Sequence, residues 1–330
     1  MIPLFTVITP AYNRPDFLRM ALKSLSLQTF KNYEAFIIDD GSTDDTPKVF
    51  EEFKNHENWK FIRFETNKRQ FYCRNFAIER ASGKYITFLD ADDMWLPERL
   101  EKFHKAFEKH PETGFMFSNG YIMQDNLVAD RFFEKNRKIP AGKIEPYMAI
   151  SDKWLPYVTT NVAFIKKAVE KTGLFRYDMS HLEDMELYVR ILRHFEVNYI
   201  AEPLSIYRIH SLTANPKSLT LRWEDGIKDF ITSLETANPP LEKRKELEDY
   251  VYRKQAAVFL KNSLNSKARE YIFKTSSRDA GFYLVYLGSF LPKSALLVLK
   301  TVYRMLRSIN CRWFVKSNYT AAQKFVNSLR

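Results

Sequence analysis

Five short runs rich in β-branched and aromatic residues, Leu4–Thr9, Tyr33–Asp39, Trp59–Glu65, Tyr85–Leu89 and Gly114–Ser118, alternate with helical patterns at Asp16–Leu27, Asp45–Phe53, Phe71–Ala81 and Pro97–Lys109. That alternation is the signature of βα units around a mostly parallel sheet. Pro97 suits a first helical turn, and Gly83 suits a left-handed cap after a helix. In such sheets the binding crevice lies beyond the carboxyl ends of the strands, so the residues that close each strand line it. Here they are polar: Pro10-Ala11-Tyr12-Asn13-Arg14 after the first run, Asp39-Asp40-Gly41-Ser42-Thr43-Asp44 after the second, Asp90-Ala91-Asp92-Asp93 after the fourth. Neither G-x-G-x-x-G nor G-x-x-x-x-G-K-[ST] occurs, so a classical dinucleotide fold and a P-loop are unsupported.

The 330 residues, 45% hydrophobic, suffice for one large domain plus an appendage or for two modest domains. Cys73 and Cys311 are far apart and lack metal-ligand spacing, which points away from a disulfide framework or structural zinc and toward a reducing compartment. The start of the chain shows no basic n-region and no small-residue cleavage site, so export by a signal peptide is not expected. The net charge of +11 is unevenly placed: residues 241–330 hold 18 Lys and Arg against 6 Asp and Glu, a net +12, which leaves −1 for residues 1–240. A neutral body with a basic tail argues against a nucleic-acid binder throughout.

The D-x-D of Asp90 and Asp92 places carboxylates on a short turn at a strand end, where a hard divalent cation finds oxygen ligands. Alone such a pair carries little information, because acidic loops are common. Four segments set it in context: Thr6-Val7-Ile8-Thr9-Pro10-Ala11-Tyr12-Asn13, Ile37-Ile38-Asp39-Asp40-Gly41-Ser42-Thr43-Asp44, Arg74-Asn75 and Phe88-Leu89-Asp90-Ala91-Asp92-Asp93. In this order and spacing the chain resembles the family-2 glycosyltransferases with the GT-A fold. His181-Leu182-Glu183-Asp184-Met185-Glu186-Leu187 resembles that family's E-D motif, and Tyr207-Arg208-Ile209-His210 its late histidine segment; the resemblance covers residues 3–215.

The resemblance implies an α/β fold, a GT-A Rossmann-like nucleotide-binding sheet flanked by helices. It implies transfer of a sugar from a nucleotide-sugar donor, UDP favoured and dTDP admitted, to a glycan or lipid-linked acceptor. Pro10, Ala11 and Tyr12 would wall the base, Asp39 would accept its N3–H, and Asn13, Arg14, Asp40, Arg74, Asp90 and Ala91 would complete the donor site. Asp92 and His210 would bind Mn²⁺ or Mg²⁺, which stabilises the diphosphate leaving group. Asp184 would be the base of an inverting transfer, with Glu183 setting its environment. Trp154, Tyr157, Thr159, Thr160 and Asn161, with Asp93, are candidates for acceptor contact. The chain departs from the family at Asn67-Lys68-Arg69, where many members carry Asn-x-Gly; Lys68 and Arg69 either meet an anionic substrate or are solvated. The competing readings are a sugar nucleotidyltransferase, whose glycine-rich triphosphate loop is not visible, and a GT-A-like binding or scaffold module without catalysis.

Residues 1–235 read as the catalytic domain and 236–330 as a basic, amphipathic helical region for membrane association or oligomerisation, a homodimer included. After Pro292 the cations Lys293, Lys300, Arg304 and Arg307 share one helical face, opposite Leu296, Leu299, Val302, Tyr303 and Leu306. No uninterrupted apolar span of about 20 residues is present, so the expectation is a cytoplasmic enzyme docked peripherally on the anionic inner face of the membrane.

Overall fold

The computed structural model describes residues 2–124, 126–133, 139, 141–144, 158–179, 181–210, 223–235, 244–261, 264–278, 280–292, 294–295 and 316–329. They form two compact units: residues 1–177, 183–210 and 322–330 belong to the first, 178–182 and 211–321 to the second.

In the first unit, parallel strands β1 (Phe5–Ala11), β2 (Tyr33–Asp39), β3 (Trp59–Arg63) and β4 (Tyr85–Phe88) alternate with helices α1 (Pro15–Ser26), α2 (Thr46–Phe53) and α3 (Gln70–Arg80). The short β5 (Met94–Trp95), α4 (Arg99–Lys109), β6 (Thr113–Gln124) and β7 (Leu127–Arg131) follow, then a single 3₁₀ turn at Thr159–Asn161 that leads into β8 (Val162–Ile165). After α5 (Lys166–Thr172) and α6 (Glu183–Leu192), the long β9 (Glu196–Ile209) completes a sheet ordered β3-β2-β1-β4-β8-β6-β9-β5, with β7 beside β6. The alternation read from the sequence is observed with end shifts of a residue or two in most elements. The sequence did not reveal β5, β7 or the full length of β6 and β9.

β1 and β2 are almost wholly buried, as expected for parallel strands covered by helices on both faces. Successive side chains point to opposite faces: Val7 and Ile37 pack with Leu18, Leu22 and Phe103 on one side, Ile8 and Ile38 with Ala77 and Ile78 on the other.

Two pairings build the site. Ala11 is in register with Asp39, and Ile8 with Phe88, so the polar segments after β1, β2 and β4 meet at one edge. β8 runs antiparallel to β4, Thr87 opposite Ala163, which brings the Thr159–Asn161 turn to that same edge. Fully buried Arg99 fixes the turn from below, donating to Thr87 Oγ1 and the carbonyls of Thr160 and Val162 while stacking on Trp95.

The second unit contains α7 (Trp223–Glu235), α8 (Arg244–Lys261), α9 (Asn265–Phe273) and α10 (Ala280–Gly288). Leu247, Val251, Phe259, Ile272 and Phe282 are buried in it, and the Asp249 carboxylate accepts the N–H groups of Ser276 and Ser277 at 2.6 and 2.9 Å. The helix α11 (Lys316–Leu329) returns to the first unit in its second half, where Gln323 Oε1 accepts the Val128 N–H at 2.8 Å. The basic amphipathic face expected after Pro292 lies outside the described residues, apart from Ser294 and Ala295.

Candidate active site

The loops after β1 and β2 are laced together. Ser42 Oγ accepts the Asn13 N–H at 2.9 Å, Asn13 Oδ1 accepts the Thr43 N–H at 2.9 Å, and Thr46 Oγ1 accepts the Arg14 N–H at 2.9 Å. Asn13 takes the left-handed conformation at φ 51°, which asparagine tolerates. Gly41, at φ 74°, would bring a Cβ to 2.7 Å from the Thr66 backbone, so only glycine fits. Asp39 is fully buried; its Oδ1 accepts the Ser42 N–H at 3.0 Å, while Oδ2 accepts no hydrogen bond and has Arg63 Nε 3.2 Å away. A buried carboxylate oxygen left over in this way is suited to an N–H donor on a ligand. Tyr12, 43% exposed, stands at the mouth above buried Ala11. Asp40 is buried: its Oδ1 accepts the Lys68 N–H at 2.8 Å, and burial raises its pKa.

A second corner forms after β4. Asp92 Oδ2 is bound by Arg14 Nη1 and lies 2.7 Å from His210 Nε2, with Arg14 and His210 3.1 Å apart. Burial opposes charge on Asp92, but His210 and Arg14 outweigh it and hold the carboxyl below its usual range. His210 is placed by the end of β9, through two bonds from Arg208. Its backbone N–H donates to Asp93 Oδ1 at 2.9 Å, and its Nε to the Asp92 carbonyl at 3.0 Å. Among the described residues no three His, Cys, Asp or Glu side chains converge on one point. Asp92 and His210 do converge, and a carboxylate plus an imidazole fit a divalent cation whose remaining ligands are phosphate oxygens and water.

The third corner centres on Arg74, 2% exposed on α3. Its Nη2 donates to Asp90 Oδ1 at 2.8 Å and to Thr159 Oγ1 at 3.3 Å, and its Nη1 reaches Glu183 Oε1 at 3.4 Å. Thr159 Oγ donates to Asp90 Oδ2, and Gln70 Nε2 donates to Glu183 Oε1 at 2.6 Å. Arg74, a candidate for the donor site, clamps two carboxylates, Asp90 after β4 and Glu183 at the start of α6. Neighbouring Asn75 binds Phe175 both ways, its Nδ2 donating to the carbonyl at 2.8 Å and its Oδ1 accepting the N–H at 3.0 Å. Burial and the Glu183 charge push the Asp184 carboxyl up to about 7, against the pull of Arg74. Replacing Arg74 by Met leaves Asp90 and Glu183 without their cation in a buried site, and an unpaired buried charge costs about 3–5 kcal/mol. Chemical denaturation at pH 7.5 should show a loss of that size; a loss under about 1 kcal/mol would mean the clamp is not what holds the carboxylates.

Three candidates for acceptor contact are corrected. Asp93 is wholly buried and anchors β9, with burial and its acidic neighbours raising its pKa well above the usual range. Thr160 accepts the Trp95 indole N–H at 3.1 Å, and Asn161 accepts Ser205 Oγ; both are at 0% exposure and belong to the core. Trp154 and Tyr157 lie outside the described residues. Gln70 was not foreseen, and Thr159, one of several acceptor candidates, bonds to Asp90; both reach their partners across long sequence separations that no local pattern signals.

The chain matches the model of Glycosyl transferase family 2 over residues 6–173. It belongs to that family. TuaG of Bacillus subtilis, named for teichuronic acid biosynthesis, is 36% identical over 132 residues, 39% of this chain and 52% of TuaG, so the match spans about half of that relative. WfgD of Escherichia coli, a UDP-Glc:α-D-GlcNAc-diphosphoundecaprenol β-1,3-glucosyltransferase, is 28% identical over 235 residues, 69% of this chain and 87% of WfgD. Among solved structures, Staphylococcus aureus TarS 1–349 with UDP-GlcNAc superposes with a TM-score of 0.58 at 17% identity, covering 87% of this chain and 79% of TarS. The mannosyltransferase PcManGT of Pyrobaculum calidifontis, with GDP-Man and Mn²⁺, gives a TM-score of 0.57 at 14% identity, covering 100% of this chain and 86% of its own. The fold is that of the GT-A glycosyltransferases, and the chain is a family-2 glycosyltransferase.

Proposed function

We propose that this glycosyltransferase moves a sugar from a UDP-sugar, with inversion, to a glycan or lipid-linked acceptor during cell-surface polysaccharide synthesis. The observation that carries the reading is a split between acids: Asp92 is kept ionised by His210 and Arg14, whereas Asp184 is raised to about 7 beside Glu183. Environments that push acids apart in this way assign a charge-holding role to one and proton transfer to the other.

In this reading Pro10, Ala11 and Tyr12 wall the nucleobase and Asp39 Oδ2 accepts its N3–H. Asp90, held by Arg74 and Thr159, contacts the ribose or sugar, with Asn13 and Ala91 beside it. Asp92 and His210 hold Mn²⁺ or Mg²⁺, which when bound neutralises charge on the departing diphosphate. Asp184 takes the proton of the acceptor hydroxyl as that oxygen attacks the anomeric carbon. The first unit, built mainly from residues 1–177 and 183–210, serves as the catalytic domain, so the boundary expected at residue 235 moves back to 210. UDP-, dTDP- and GDP-sugars, assayed for hydrolysis and transfer with Mn²⁺, Mg²⁺ or EDTA, test the reading: metal-dependent turnover of a UDP-sugar is expected. Partner binding with no turnover of any donor would favour a scaffold.

The second unit supports peripheral attachment to the inner face of a membrane. Leu284, Leu287 and Phe290 are 74%, 61% and 60% exposed, while Lys274 lies 4.0 Å over Tyr271 and Arg278 4.4 Å over Phe282. Apolar side chains beside cations suit an anionic lipid surface. No helix among the described residues is long and apolar enough to cross a membrane. Full-length protein should co-sediment with anionic vesicles, and Leu284→Asp with Leu287→Asp should reduce the bound fraction at least threefold; unchanged sedimentation would refute the lipid contact.

A further inference from the structure

Arg69 sits at φ 72°, ψ 159°, a backbone region that is essentially reserved for glycine. It is the third residue of Asn67-Lys68-Arg69, where the resemblance leads one to expect a glycine. The loop's bonds are all made by groups that a glycine would also possess or leave intact. The Arg69 carbonyl accepts the N–H groups of Tyr72 and Cys73 at 3.1 and 3.4 Å, its own N–H donates to Asn67 Oδ1 at 3.3 Å, and the Lys68 N–H donates to Asp40. The fold therefore has no use for this side chain, and its backbone is strained by carrying it.

The two cations of the loop differ in their surroundings. The Lys68 ammonium lies 4.7 Å over the Tyr72 ring and 5.2 Å over Phe64. The Arg69 guanidinium is exposed and makes no hydrogen bond or ion pair among the described residues. In the chain Arg69 falls between Lys68, whose N–H bonds Asp40 next to the buried Asp39, and Gln70, whose side chain bonds Glu183 beside Asp184. Strain of this kind is retained where a side chain is needed for function.

We infer that Arg69 binds a phosphate of a substrate at the rim of the site. A guanidinium offers paired donors to phosphate oxygens and needs no buried setting to do so. The inference rests on the glycosyltransferase reading. The phosphate is either that of the nucleotide donor or that of a diphosphate-linked acceptor, and the experiment separates the two.

Arg69→Gly, Arg69→Ala and Arg69→Lys are compared in the full chain by thermal melting and by calorimetric binding of UDP with Mn²⁺ and of a short-chain GlcNAc-diphosphate lipid. Arg69→Gly removes the strain, and its melting temperature should rise by about 2–4 °C, whereas Arg69→Ala, which keeps a Cβ, should not rise. Both should weaken one probe about tenfold, with Arg69→Lys intermediate. Weakening of UDP places the contact on the donor, weakening of the lipid places it on the acceptor, and the binding of that probe should become less salt-dependent. If Arg69→Gly melts higher but binds both probes as the wild type does, or melts lower, the inference is overturned. The glycosyltransferase reading fails on a different result, transfer that survives Asp184→Asn, so the two failures are told apart.

Discussion

Asp184→Asn should abolish transfer, with kcat down by about three to four orders of magnitude, because the amide cannot take the acceptor proton. Donor binding should change by no more than a few-fold, since among the described residues the Asp184 carboxylate accepts only the Met185 N–H of its own helix, at 2.8 Å. The pH profile follows from the raised carboxyl. A base must be ionised, so kcat should be lost as pH falls through about 7, well above the range of an ordinary aspartate. Stability runs the other way: with a folded pKa above its unfolded value, Asp184 favours the fold when protonated, and that contribution is lost as pH rises through about 7. The Asn variant should therefore melt higher than the wild type at pH 8, with the gap closing as pH falls and vanishing only below about 4, where the unfolded aspartate is protonated too. A variant that is dead but gains nothing at pH 8 would count against a raised carboxyl, and one that still transfers would remove Asp184 from the mechanism.

Asp92→Ala should erase the effect of metal on donor binding. In the wild type UDP should bind more tightly with Mn²⁺ than with EDTA, by about 100-fold, since Asp92 and His210 would hold the cation that neutralises the diphosphate. In the variant the two affinities should coincide, and transfer should fall by about 10³ or more. Loss of folding is not the expected cause, because Asp92 sits at the site's surface with a side chain 23% exposed, and its partners Arg14 and His210 are each 37% exposed. Without Asp92 the two can rehydrate. Calorimetric titration of UDP in both buffers decides the matter: a metal effect that survives the substitution would move the cation elsewhere.

Much of this site was legible because each motif is a local run attached to a strand end, and parallel strands bring strand ends together. Asp39, Asp90 and Asp92 needed only the order of strands to be placed. Gln70 and Thr159 were another matter, since their bonds to Glu183 and Asp90 span 113 and 69 residues and arise from α3 and the antiparallel entry of β8. Asp93, Thr160 and Asn161 failed as acceptor contacts for a physical reason. A polar residue next to a site is as useful for anchoring a neighbouring strand as for touching a ligand, and burial, which sequence does not display, decides between them. The partners of Arg74 were hidden for the same reason, because a buried guanidinium first satisfies the carboxylates within reach, and Glu183 lies 109 residues away in sequence.

The length of β9 has a consequence for how the enzyme comes into being. The strand enters the sheet beside β6 and delivers His210 only at its far end, after Glu183 and Asp184 have been supplied by the helix before it. A chain emerging from the ribosome can therefore pair its first four strands and lace the Asn13–Thr43 loops long before Asp184 and His210 are made. Until β9 has paired beside β6, the Asp92 corner lacks the imidazole proposed for it. If Asp184 and His210 act as proposed, turnover requires that long-range strand pair to close, and the chemistry itself reports that the sheet is complete.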